Sequence, residues 1–172
     1  MEKVLLITPT YNESENIQKF IDSTKTFKEI HLLVVDDNSP DGTATIVEKN
    51  MQNSDSVKII KRSGKLGYGS AIIEGYKWGL ENNYYHFVQM DTDFSHRFED
   101  LTKLINEKNN YDLVIGSRYV TGGGTTGWPK RRQYLSKYAN KLCGLVFKSE
   151  IKDQTSGFRL LNKKVINEII NF

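Results

Sequence analysis

Short apolar runs recur along this chain. Each is followed by polar residues and then by a stretch with helical spacing, and that alternation leaves few folds open. Val4–Thr8, Leu32–Val35, Val57–Ile60, Phe87–Met90 and Leu113–Ile115 read as buried strands. The helices between them are expected from Asn12, as a cap ahead of an Ile17, Phe20 and Ile21 stripe, and then over Thr43–Gln52, Ser70–Leu80 and Phe98–Asn106. Strand–helix repetition without hairpin turns predicts an α/β fold, a mostly parallel sheet with helices on both faces. Such sheets bind ligands outside the carboxyl ends of their strands. The residues directly after each run are therefore the first place to look for chemistry.

At 172 residues a single domain is expected over 1–172. One cysteine, Cys143, excludes an internal disulfide framework and fits a reducing compartment. Its neighbours Leu142, Leu145 and Val146 point to a packed core thiol. Met1 leads straight into a strand pattern with no signal-peptide spacing, and no apolar run reaches the roughly 20 residues of a membrane span. The expected location is the cytoplasm, with peripheral seating on the cytoplasmic face of a membrane as the variant to consider. Net charge is only +3, yet Leu113–Ser149 holds no Asp or Glu and seven cations: Arg118, Lys130, Arg131, Arg132, Lys137, Lys141 and Lys148. The rest of the chain is net negative. Such segregation argues for a local anionic partner, and no nucleic acid is expected.

The strand-end residues supply the candidates. Pro9-Thr-Tyr11-Asn-Glu13 follows the first run, where Tyr11 can stack on a base and Glu13 can accept from it, or Asn12 can simply open a helix. Asp36 and Asp37 follow the second, as nucleotide acceptors or turn caps. Asp91-Thr-Asp93 follows the fourth. In an extended chain that spacing sends both carboxylates the same way, and hard oxygen ligands suit Mg²⁺ or Mn²⁺. Arg118 follows the fifth run, and Arg132 lies beyond a glycine-rich connection at Gly122, Gly123, Gly124 and Gly127. Guanidinium groups there suit phosphate. Competing motifs fail. Gly67-Tyr-Gly69 lacks a third glycine at Ile72, no phosphate-loop lysine pattern occurs, and a calcium loop would need glycine where His96 stands. Tyr134–Phe147 reads as a basic amphipathic helix with Leu135, Tyr138, Leu142 and Val146 on one face. It either rests on an anionic membrane or packs on the core.

Taken together, these blocks resemble the family 2 glycosyltransferases with the GT-A fold, of the polyprenol (dolichol) phosphate mannose synthase type. The resemblance runs from Val4 to the C-terminus. It is carried by Pro9–Glu13, Asp36–Thr43, Lys65–Gly69, Met90–His96, Gly116–Tyr119 with Gly122–Gly124, Gly127-Trp128 and Thr155–Arg159. It implies that Pro9, Tyr11, Glu13, Val35 and Asp37 line the nucleotide pocket, together with Thr92 and Arg118. It further implies that Asp91 and Asp93, with Ser95 added, hold the divalent metal, and that Arg118 and Arg132 handle phosphate beside the acceptor. Thr92 and Phe94 depart from the usual Ala and aliphatic residues. Relatives continue with a further basic stretch, so the catalytic domain is expected to be shortened at its C-terminus.

The implied reaction is an inverting, metal-dependent transfer of a hexose, mannose from GDP-mannose in the first place, to polyprenyl or dolichyl phosphate. Another sugar such as glucose from UDP-glucose, a sugar-nucleotide-binding protein without turnover, and a nicotinamide oxidoreductase are the rival readings.

Overall fold

The structure, a computed structural model, describes residues 2–124 and 129–171, apart from the side chains of residues 130 and 132. Gly127, Trp128 and the Arg132 side chain, all singled out above, lie outside the described residues. Strands β1 (Val4–Thr10), β2 (Ile30–Asp36), β3 (Val57–Lys61), β4 (His86–Gln89), β5 (Leu113–Ile115) and β6 (Arg159–Asn162) form one sheet in the order β3-β2-β1-β4-β6-β5. β1 pairs in parallel with β2 and β4, and β2 with β3, while β6 runs antiparallel between β4 and β5. The amino-terminal end of β6 therefore reaches the edge where the other strands end.

Alternation along each strand builds two cores. Val4, Leu6, Leu32, Val34, Val88 and Leu160 face α1 (Ile17–Thr24), α2 (Thr43–Met51) and α4 (Phe98–Asn106). Leu5, Ile7, Leu33, Val35, Phe87 and Leu161 face α3 (Tyr68–Glu81) and α6 (Lys163–Ile170). Because both faces are covered, these strands read as continuous apolar runs rather than alternating ones. Close approach of α3 explains two of its glycines. A β-carbon on Gly75 would stand 2.7 Å from Ile7, and one on Gly79 would stand 2.6 Å from Leu5 and meet the Phe87 ring.

Two expectations need correction. Asn12 does not cap a helix: it has φ +61°, and α1 starts at Ile17 behind Asn16. The residues before α1 form a turn whose Glu13 carbonyl accepts from the amides of Asn16 and Ile17, while the amides of Asn12, Glu13 and Ser14 bond to side chains of residues 39–43. Cys143 lies half-buried on α5 (Lys130–Phe147), not in either core. Of the two readings left open for α5, packing of its apolar stripe on the core is not found. Leu135 is 69% exposed, Val146 64% and Phe147 71%, so no described residue covers that face. Among the described residues, no helix is long and apolar enough to cross a membrane.

Candidate active site

The strand order reverses at β1, whose neighbours β2 and β4 lead away in opposite directions, and a crevice at such a point is where open α/β sheets take ligands. Two loops on the β2 side are laced together. The amides of Asn12, Glu13 and Ser14 donate to Ser39 Oγ (3.0 Å), Thr43 Oγ1 (3.0 Å) and Asp41 Oδ2 (2.9 Å). Burial pushes the Asp41 carboxyl up, but the Thr43 and Ser14 donors outweigh it and hold the group well below the usual carboxylate range. Asp36 is fully internal, accepting from Thr10 Oγ1 at 2.8 Å and from the Ser39 amide and hydroxyl at 2.8 and 2.6 Å. Of the acidic pair it is the turn-forming member.

Asp37 does something the sequence reading did not anticipate. One oxygen pairs with the buried Arg62, while the other accepts from the amides of Leu66 and Gly67 at 3.0 and 2.9 Å. Arg62 also donates to Ser70 Oγ at 2.7 Å and lies 3.0 Å from Glu74. The glycine loop 64–67 thus hangs from Asp37, with Gly67 at φ +96°, a conformation that favours glycine. The loop sets the Lys65 ammonium over the half-exposed Tyr11 ring, 3.9 Å from its centroid. Pro9 is half-buried and pairs across from Val35, which is wholly within the core. Glu13 accepts from Asn16 Nδ2 at 2.9 Å.

On the other side of β1, Met90 donates its amide to Ile7 at 3.2 Å and the chain then turns. Asp91 is half-buried, Thr92 buried, and Asp93 and Ser95 exposed. The extended-strand argument for paired carboxylates does not apply past Asp91. Residues 92–96 form a turn in which the Ser95 amide donates to Asp93 Oδ1 at 2.9 Å and Phe94 adopts φ +57°. Asp91 is flanked by His96, with Nε2 at 3.6 Å and its ring stacked on Phe158 at 4.8 Å, and by the Tyr68 hydroxyl. Burial first, and then the Asp91 charge, push that phenol far up, so it stays a donor. A β-carbon on Gly157 would come 2.9 Å from this hydroxyl. The donor set is one of hard oxygens. Among the described residues no group of three His, Cys, Asp or Glu side chains is close enough to hold an ion by itself. Carboxylate oxygens are donors of the kind Mg²⁺ and Mn²⁺ take, and two of them leave most coordination positions to other oxygens.

Past β5, Arg118 is committed. Its amide and Nε donate to Asp153 Oδ2 at 2.9 and 2.7 Å, and Nη2 reaches Asp153 Oδ1 at 2.6 Å and Thr155 Oγ1 at 2.8 Å. Burial raises the Asp153 carboxyl, but the Arg118 contacts prevail and hold it below the ordinary aspartate value. Asp153 carries no sequence signal beyond its place before Thr155–Arg159, and its partner lies far away in the chain.

A family model described as "Glycosyl transferase family 2" matches residues 5–170. The chain belongs to glycosyl transferase family 2. The polyprenol monophosphomannose synthase of Mycolicibacterium smegmatis is 39% identical over 98% of this chain and 64% of its own length. The dolichol-phosphate mannosyltransferase of Pyrococcus furiosus is 39% identical over 97% of this chain and 48% of its own. The chain thus spans roughly half to two thirds of these curated relatives. Among solved structures, the glucosyl-3-phosphoglycerate synthase of Mycobacterium tuberculosis, in complex with Mn²⁺, UDP and phosphoglyceric acid, superposes with a TM-score of 0.69. That match is at 17% identity, over 95% of this chain and 57% of that one. The family 2 chain therefore has the expected GT-A architecture.

Proposed function

We propose that this family 2 chain carries the catalytic site of an inverting glycosyltransferase that moves a hexose, mannose from GDP-mannose in the first place, to polyprenyl or dolichyl phosphate. The observation that carries this reading is that one sheet edge bears, after β1 and β4, Tyr11 under the Lys65 ammonium and the Asp91–Asp93 turn, with Arg118 following β5 at the same edge. The names of the relatives support the same sugar and acceptor.

In this reading the base lies by Tyr11, against the loop hung on Asp37. Pro9, Glu13 and Thr92 lie along the same crevice, while Val35 acts from beneath it. Asp91 and Asp93, with Ser95 beside them, hold Mg²⁺ or Mn²⁺. The bound ion supplies charge neutralisation for the departing diphosphate. The Tyr68 hydroxyl and His96 fix the Asp91 carboxylate in place. The acceptor is a lipid monophosphate with a second pKa of about 6, so at neutral pH its oxygen is already largely ionised. That oxygen attacks the sugar's anomeric carbon, the bond to the diphosphate breaks with its electron pair on the leaving oxygen, and the centre inverts. No strong base is needed, and Asp153, bound to Arg118, is poorly placed to be one. Arg118, oriented by Asp153, and Arg132 orient the phosphate. The exposed apolar face of α5, bordered by Arg131, Lys137 and Lys141, suits seating on an anionic lipid surface on the cytoplasmic side.

The test is transfer of labelled mannose from GDP-mannose to a short polyprenyl phosphate, with Mn²⁺, Mg²⁺ or chelator. Metal-dependent formation of the lipid-linked sugar is expected. Donor binding without transfer would instead assign the chain to nucleotide-sugar binding alone. Arg118→Ala should weaken use of the lipid phosphate more than donor binding, and equal loss of both would count against the clamp.

A further inference from the structure

Among the described residues of α5, Asn140 is the buried one, at 7% exposure, on a helix whose apolar side chains stand in solvent. Its Oδ1 accepts from the Gln154 amide at 2.7 Å, and its Nδ2 donates to Thr155 Oγ1 at 3.1 Å and to the Ser136 carbonyl at 3.0 Å. Thr155 Oγ1 also accepts from Arg118 Nη2 at 2.8 Å. A hydroxyl has two acceptor positions and one proton. With Asn140 and Arg118 on the acceptor side, the Thr155 proton is left to point at Asp153 Oδ1, 3.4 Å away. The orientation of that hydroxyl therefore depends on Asn140. A second tie joins the same pieces, the Tyr119 hydroxyl to Ser136 Oγ at 2.7 Å.

We propose that Asn140 is a positioning residue that ties α5 to the Arg118–Asp153 pair through Thr155, so that the seating of α5 sets how Arg118 meets the acceptor phosphate. The proposal rests on the function argued above only for the acceptor's identity. The mechanical link itself is independent of it.

Two measurements test it on the whole chain. In ¹⁵N spectra, with the Arg118 Nε–H signal assigned through Arg118→Lys, Asn140→Ala should shift that signal and speed its exchange with water. In the transfer assay, Asn140→Ala should raise the KM for polyprenyl phosphate roughly three- to tenfold, the effect of one lost hydrogen bond. The Kd for GDP-mannose should stay within about twofold of the parent value. In an Arg118→Ala background the same change should add nothing. Thr155→Val, at an exposed position, keeps the side-chain shape but removes the hydroxyl that joins Asn140 to Arg118, and it should reproduce the defect with a melting temperature near the parent value, which covers the case that Asn140→Ala misfolds. An unmoved Arg118 signal in both variants, or effects that multiply in the double variant, would overturn the proposal. Should the parent chain transfer no sugar, the function fails while the spectral comparison still decides the link.

Discussion

The two sides of the crevice are built differently. On the β1–β2–β3 side, polar residues are wired into the sheet. Asp36 closes the turn, Asp37 and Arg62 are both buried, and the loop bearing Lys65 is anchored by two amides. On the far side, beyond β5, Arg118 and Asp153 pair as tightly, yet the adjoining helix α5 buries Asn140 and leaves Leu135, Tyr138 and Phe147 in solvent. One side has its stability in common with the fold. The other is attached to the fold by a few polar contacts and keeps an apolar surface uncovered. A donor pocket that stays shaped between turnovers, beside an acceptor side completed by a lipid surface, would have this asymmetry.

Perturbing the anchored side should therefore cost stability. Asp37→Ala leaves the buried Arg62 without its carboxylate and frees the glycine loop. A loss of about 3–5 kcal/mol is expected in denaturant unfolding, and a loss under about 1 kcal/mol would mean that the loop does not depend on this pair. Gly79→Ala forces a methyl against Leu5 and Phe87. About 1–3 kcal/mol should be lost, with donor binding intact in the folded fraction.

A smaller effect concerns His86, buried in β4, whose imidazole is held below its ordinary value of 6.5 by burial, with Lys108 also lowering it and Glu2 opposing. Its contribution to stability is complete above pH 6.5 and is lost as pH falls through the lower folded value. The melting temperature should therefore decline on acidification below that point, and less steeply in His86→Phe. The loosely attached side should show the smallest stability change of all. Leu135→Ser with Tyr138→Ser should stay within about 0.5 kcal/mol of the parent, yet abolish flotation with anionic liposomes. Flotation that survives the double change would remove α5 as the lipid-seating element.

Much of the fold was legible from residue order, because the signals that place strands and helices are local. Apolar runs of strand length bounded by polar residues placed β1 to β5, and the periodicity over Phe98–Asn106 and the run Leu113–Ile115 coincide with α4 and β5. That Asp37 and Asp91 reach one edge follows from the parallel run of β2, β1 and β4. Asp153 and Arg62 were not legible as parts of the site. Each acts through a partner remote in sequence, and no spacing rule reports on side chains that meet only after the sheet has formed. The Asn12 cap misled for a related reason. An Asn before acidic residues marks a helix start only when nothing else holds the loop, and here Ser39, Asp41 and Thr43 do. The exposure of α5 was left undecided by its amphipathic pattern, since the same stripe serves a core and a membrane equally.

The central claim is that Asp91 and Asp93 bind a nucleotide sugar through a shared divalent cation at the crevice beside Tyr11. Calorimetric titration of GDP-mannose, in Mn²⁺ and in chelator, on the parent chain and on Asp91→Asn tests it directly. The account predicts binding that requires Mn²⁺ and weakens at least about tenfold in Asp91→Asn, the cost of one charge-assisted contact. Equal affinity with and without metal, or an unchanged affinity in Asp91→Asn, would contradict it.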